Sequence, residues 1–211
     1  MFKMFLKAVM IDLPLYLVLF FSRRFRVYEF NVAIFLQNPV NRQCLLDKTA
    51  RALELICLYA PEKFKLIKNY IKHILIFGGH GSLAQYDEKI KLCDISRKFA
   101  LAQETTSAHL AMVLIHEAMH GYLDSHGVAY HVKRRSKIER ICVRAELVFA
   151  SRLPHSDELV DDARKRLDYG EEFWSNDAFL QRELLALEKF GFPNWIIKFA
   201  KKRIFKNISK K

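Results

Sequence analysis

Apolar residues recur at helical spacing through residues 42–59, where Leu45, Leu46, Ala50, Leu53, Ile56 and Cys57 fall on one side of a 3.6-residue period. Pro61 opens a second helical stretch that runs toward Tyr70, at a first-turn position where the missing N–H costs nothing. The period then changes. Residues 74–77 form a β-like run that ends at Gly78, Gly79, His80 and Gly81. Segments 82–86 and 90–93 follow, separated by the polar Asp87, Glu88 and Lys89, and the three together predict a small antiparallel meander. Residues 106–123 are helical again and apolar around most of the circumference, which places that helix inside a domain. Gly121 and residues 124–127 predict where it frays and ends. A helix over 136–152 stops before Pro154, and further helical segments are predicted over 157–167, over 178–190 and after Pro193. Helix, meander and then helices make an α+β fold with a mostly helical C-terminal half.

The N-terminal 26 residues read differently. An apolar run over 8–21 follows Lys3 and Lys7 and precedes Arg23, Arg24 and Arg26. It is shorter than the roughly 20 residues needed to span a bilayer, and Asp12 and Pro14 interrupt it. No small-residue cleavage site follows it. The run is expected to be a core element of the domain, and an interfacial or short membrane anchor with a basic flank is the open alternative. The chain thus divides into the apolar segment 1–26, a single domain over 27–206 and a basic tail over 207–211.

The chemistry sits on the apolar helix, as His116-Glu117-Ala118-Met119-His120. Residues four apart share a helix face, so both imidazoles can reach one ion. Glu117 lies about 100° round from His116 and can flank that ion as a general base without taking a coordination place. A catalytic zinc ion (Zn2+) takes three protein ligands and leaves a position for water. Three residues compete for the third place: Glu139 on the next predicted helix, Glu146 seven residues later on the same stripe, and His126 in the intervening loop. Glu139 and Glu146 are about 10 Å apart along a helix, so only one of them can coordinate the ion. The other is expected to support the site or to pair with Arg140, Arg144 or a ligand histidine.

The HExxH sequence followed after 18 intervening residues by Glu139 resembles the gluzincin metallopeptidases. The resemblance covers His116 to about Phe149. It implies a zincin fold with a small sheet beside the active-site helix, and hydrolysis of peptide bonds in a peptide or protein substrate. By position it implies His116 and His120 as ligands, Glu139 as the third ligand and Glu117 as the base. His126 stands at the spacing of the third histidine of the metzincins. Leu123 occupies the place where that family has glycine, however, and all five methionines lie at or before Met119, so no downstream Met-turn can form. The metzincin pattern therefore fails. Tyr130, His131 and His155 are candidates for a second electrophile near the oxyanion. His109 reads as a hydrogen-bonded core residue with support of the site as its other role, and His73 and His80 carry no assignment.

Composition changes this picture in two respects. Cys44, Cys57, Cys93 and Cys142 contain no close pair, which excludes a CxxC knuckle or redox motif and fits a reducing, cytoplasmic setting. The formal net charge of +12 favours acidic partners. The basic residues Lys198, Lys201, Lys202, Arg203, Lys206, Lys210 and Lys211 alternate with Trp195, Phe199, Ile204 and Phe205. This suits an anionic membrane surface better than nucleic acid, and frames the alternative function: a basic binding module on a non-catalytic scaffold.

Overall fold

The computed structural model describes residues 22–35, 38–77, 83–128 and 134–175, with 19, 177, 178, 181, 182 and 185 besides. Among these, five strands and six helices form an α+β domain. Strands β1 (Arg23–Val27) and β2 (Phe30–Ile34) make an antiparallel hairpin. Helices α1 (Pro39–Tyr59) and α2 (Pro61–Tyr70) then cross over to β3 (His73–Phe77), which pairs parallel with β2. Strands β4 (Ala84–Asp87) and β5 (Leu92–Ser96) are antiparallel to each other, but β5 inserts beside β3 in parallel and leaves β4 at the edge. The sheet order is therefore β1-β2-β3-β5-β4. Helices α3 (Arg97–Leu101), α4 (Ser107–Ser125), α5 (Arg135–Ala150) and α6 (Asp157–Asp168) complete it.

The expected antiparallel meander is corrected to a mixed sheet. The run 74–77 of β3 is apolar on both sides, and every residue of β5 is buried, the polar Asp94 and Ser96 included. Ile74, Ile76, Cys93 and Ile95 join the core shared with the helices, while Leu75 and Leu92 are buried with Ala33 on the opposite face, where Leu19 packs half-buried against them. Strands buried on both faces suit the parallel interior of a sheet rather than a half-solvated meander. The β1–β2 hairpin is not among the elements expected from the sequence. β1 crosses the predicted boundary at residue 26, so Arg23, Arg24 and Arg26 lie exposed on an edge strand of the sheet.

The helix starts are locally encoded. Asn38 caps α1 by accepting from Val40 N and Asn41 N, with Pro39 in the first turn. Thr106 caps α4 in a reciprocal box with His109, whose Nδ1 accepts from Thr106 N at 3.1 Å. α4 is the central helix of the core and buries Leu110, Met112, Leu114, Ile115 and Met119, as its all-round apolar pattern requires. It does not end at Gly121. The helix continues to Ser125, and Gly121 marks a close approach: a Cβ there would stand 2.8 Å from Tyr86 Oη and 2.9 Å from Tyr70 Cβ. Gly121 thus lets edge strand β4 and helix α2 press against the motif helix. No helix of the described residues is long and apolar enough to cross a membrane. The apolar run 8–21, apart from Leu19, lies outside the described residues, as do the predicted helix after Pro193 and the basic tail; so does most of the predicted helix 178–190.

Candidate metal centre

Packing α4 against α5 and α5 against α6 brings together residues that the chain separates widely. His116 and His120 stand a turn apart on α4 with ring centroids 4.9 Å apart. Opposite them, α5 presents Glu139, Cys142 and Glu146, which the helical period stacks on one buried stripe. Glu139 Oε2 lies 3.2 Å from His116 Nε2 and 4.0 Å from His120 Nε2, so one carboxylate oxygen faces both ε nitrogens. Arg135, one turn earlier on α5, has its Nε 3.9 Å from Glu139 Oε1.

Glu146 reaches the other side of the same ring. Its Oε1 lies 2.6 Å from His116 Nδ1, while Arg166 of α6 donates to both of its oxygens. The two glutamates, too far apart on one helix for a common ion, thus bracket His116 from its two nitrogens. His116, one of the expected partners of the supporting glutamate, pairs with Glu146. Neither Arg140 nor Arg144 is the other: Arg140 Nη2 donates instead to the Tyr169 carbonyl at 2.8 Å, and Arg144 is exposed. Burial alone would raise the Glu146 pKa, but the His116 and Arg166 bonds outweigh it and hold the group below 4.5, as a carboxylate.

Burial separates the two imidazoles. His120, with a cationic neighbour in His116, is driven down to about 4 and is neutral at pH 7. For His116 burial also acts downward, yet the surrounding negative charge holds it well above 6.5. Cys142 is among those neighbours, but burial pushes its thiol up to about 12, so it is neutral and the charge must come from Glu139 and Glu146. Glu117 is 6% exposed. Burial and the nearby carboxylates raise it to about 7, against the pull of His116 and a backbone hydrogen bond from Tyr86 of β4. A carboxylate poised near neutrality is suited to take up and release a proton.

Other sequence candidates are placed elsewhere. His126 is exposed at the C-terminus of α4, its Nδ1 2.8 Å from the Tyr122 carbonyl oxygen and its ring stacked on Tyr122. His109 serves the helix cap, and the bonds of its ring run to Thr106 rather than to the motif. His155 lies in an exposed turn with φ of 52°. His73 sits on β3, its pKa lowered by burial and by Arg24 and Lys72. Tyr130, His131 and His80 lie outside the described residues.

Two neighbours of the cluster carry no assignment in the sequence. Cys142 Sγ lies 3.8 and 3.9 Å from the two ring nitrogens of His120, and its potential ligand atom is within 4.8 Å of those of both histidines. Its signal was legible: three residues after Glu139 and four before Glu146, it shares their stripe. Arg166 had no such signal, because only the packing of α6 on α5 brings it to Glu146. No protein-family model matches the chain, and no curated protein or solved structure shows significant similarity to it.

Proposed function

We propose that the chain is a zinc-dependent metallopeptidase of the zincin kind, with His116, His120 and Glu139 as the metal ligands and Glu117 as the general base. The observation that carries this reading is the convergence of both motif ε nitrogens on a single Glu139 oxygen, at 3.2 and 4.0 Å. Donors each about 2.0–2.1 Å from a common tetrahedral ion stand about 3.3 Å apart, so the first separation already fits and the second needs a modest closure. Two imidazoles and one carboxylate form a known donor set of catalytic zinc, with room left for a substrate or water. Glu146 fits a supporting role: its bond holds the Nδ1 proton, so that Nε2, protonated in the cationic metal-free ring, is the nitrogen that gives up its proton on zinc binding.

Zinc held there supplies a Lewis acid that polarises a carbonyl and makes water more acidic. The chain's own residues do the rest. Glu117, buried and tethered by the Tyr86 N–H, accepts a proton from the attacking water and returns it to the leaving nitrogen. The apolar wall of α4 limits competing solvent around these charges, which strengthens each interaction. The small sheet beside the motif helix accords with a zincin-like arrangement.

Elemental analysis tests the metal and a casein assay tests the activity. About one zinc per chain is expected in the wild type, lost in His116→Ala and strongly reduced in Glu139→Ala. Glu117→Gln should keep the zinc and lose hydrolysis. Wild-type protein that stays free of zinc after resupply refutes the metal site. A fully active Glu117→Gln refutes the assignment of the base.

A further inference from the structure

We propose that Arg166 is a positioning residue of the metal centre, acting through Glu146 to fix the ring of His116. This inference rests on the metal-site reading above. A histidine that coordinates through Nε2 must carry its proton on Nδ1, and the acceptor at Nδ1 sets both that tautomer and the ring plane. Glu146 Oε1 is that acceptor, 2.6 Å from Nδ1. Glu146 is itself only 3% exposed, and a carboxylate so buried needs a fixed counter-charge to stay ionised in place.

Arg166 supplies the counter-charge with a defined geometry. Its Nη2 donates to Glu146 Oε2 at 2.6 Å and its Nη1 to Oε1 at 3.2 Å, a two-pronged grip on both oxygens. Its Nε donates to Asp162 Oδ2 at 2.9 Å, one turn earlier on α6, which stops the guanidinium from rotating. The line Asp162–Arg166–Glu146–His116 therefore runs through α6, α5 and α4 and ties the orientation of a ligand to a helix outside the motif. A lysine cannot replace it in kind, because an ammonium is a point charge and does not bridge two oxygens in a plane.

The test is zinc affinity, measured by competition with a chromophoric chelator, with thermal stability of the metal-free protein read alongside. Arg166→Met is expected to weaken zinc binding about 10–100-fold. In the Glu146→Leu background, where no acceptor faces Nδ1, the same change should have little further effect, because its route to His116 is already cut. Arg166→Lys covers the case in which Arg166→Met does not fold. It should keep the metal-free melting temperature near wild type and still lose about 10-fold in zinc affinity. Wild-type affinity in Arg166→Lys and in any folded Arg166→Met overturns the proposal. So does an equal loss with and without Glu146, or a loss that only follows lowered stability. If the wild type itself binds no zinc, the metal-site reading falls first, an outcome distinct from a zinc-binding wild type with unaffected variants.

Discussion

Gly121→Ala separates two physical roles for one residue by the sign of its effect. Within a helix, alanine is favoured over glycine by about 1 kcal/mol, so a Gly121 with no packing role would be stabilised by the change. The structure predicts the opposite. The new methyl would meet Tyr86 Oη at 2.8 Å, and Tyr86 Cζ and Tyr70 Cβ at 2.9 Å. Carbon contacts are optimal near 3.5–4.0 Å, so the Tyr70 contact overlaps by about 0.6–1 Å. Tyr70 Cβ cannot yield without moving α2, and overpacking of this kind costs about 1–3 kcal/mol. Tyr86 can yield only by straining its 2.9 Å bond to the Tyr70 carbonyl, which contributes about 0.5–1.5 kcal/mol. After the gain in helix propensity, the net loss is about 2 kcal/mol. For a chain of this size that lowers the melting temperature by about 4–8 °C. The assay is thermal and urea unfolding with a chelator present, so that metal binding does not enter. A variant as stable as the wild type, or more so, refutes the close approach and with it the account of how β4 is pressed toward Glu117.

Cysteine accessibility and the helix cap give further outcomes. In native protein without metal, iodoacetamide at mildly alkaline pH should label the exposed Cys44 and Cys57, while the buried Cys93 and Cys142 stay unmodified by intact mass; burial also holds the Cys142 thiol up to about 12. Rapid labelling of Cys142 would contradict its packing against His120. His109 should titrate below 6.5 by NMR, because burial disfavours its charged form despite the opposing charges of Glu158 and Asp162. The unfolded chain then binds this proton more readily than the native one, so the His109 contribution to stability is present above pH 6.5 and lost as pH falls toward the lower native value. His109→Gln, which keeps an acceptor for the capping box, should remove that part of the acid sensitivity; a midpoint at or above 6.5 would refute the reasoning. Thr106→Ala should cost about 0.5–2 kcal/mol in urea unfolding through loss of the cap.

What the sequence determined by itself was whatever depends on neighbours along the chain. The helices of 39–59, 61–70, 107–125, 135–150 and 157–168 were legible within a few residues, because helical period and capping are local. So was the placing of His116 and His120 on one face of a buried helix, and of Glu139 and Glu146 on one stripe of the next. Strand order was not legible. An apolar run such as 74–77 states that it is buried and not which strands flank it, so the parallel pairing of β3 with β2 and β5 had to come from the fold. Gly121 shows the same divide: alone it reads as a helix end, and only Tyr70 and Tyr86, brought in from α2 and β4, make it a contact. The placing of the two glutamates about His116 was also decided in three dimensions. Period puts both on the inner face, but the approach of α5 to α4 assigns one to Nε2 and the other to Nδ1 of His116. Arg166 belongs wholly to tertiary structure. Its partner Glu146 lies twenty residues away on another helix, and a buried carboxylate draws its counter-charge from whatever helix packs beside it, which a sequence pattern cannot specify.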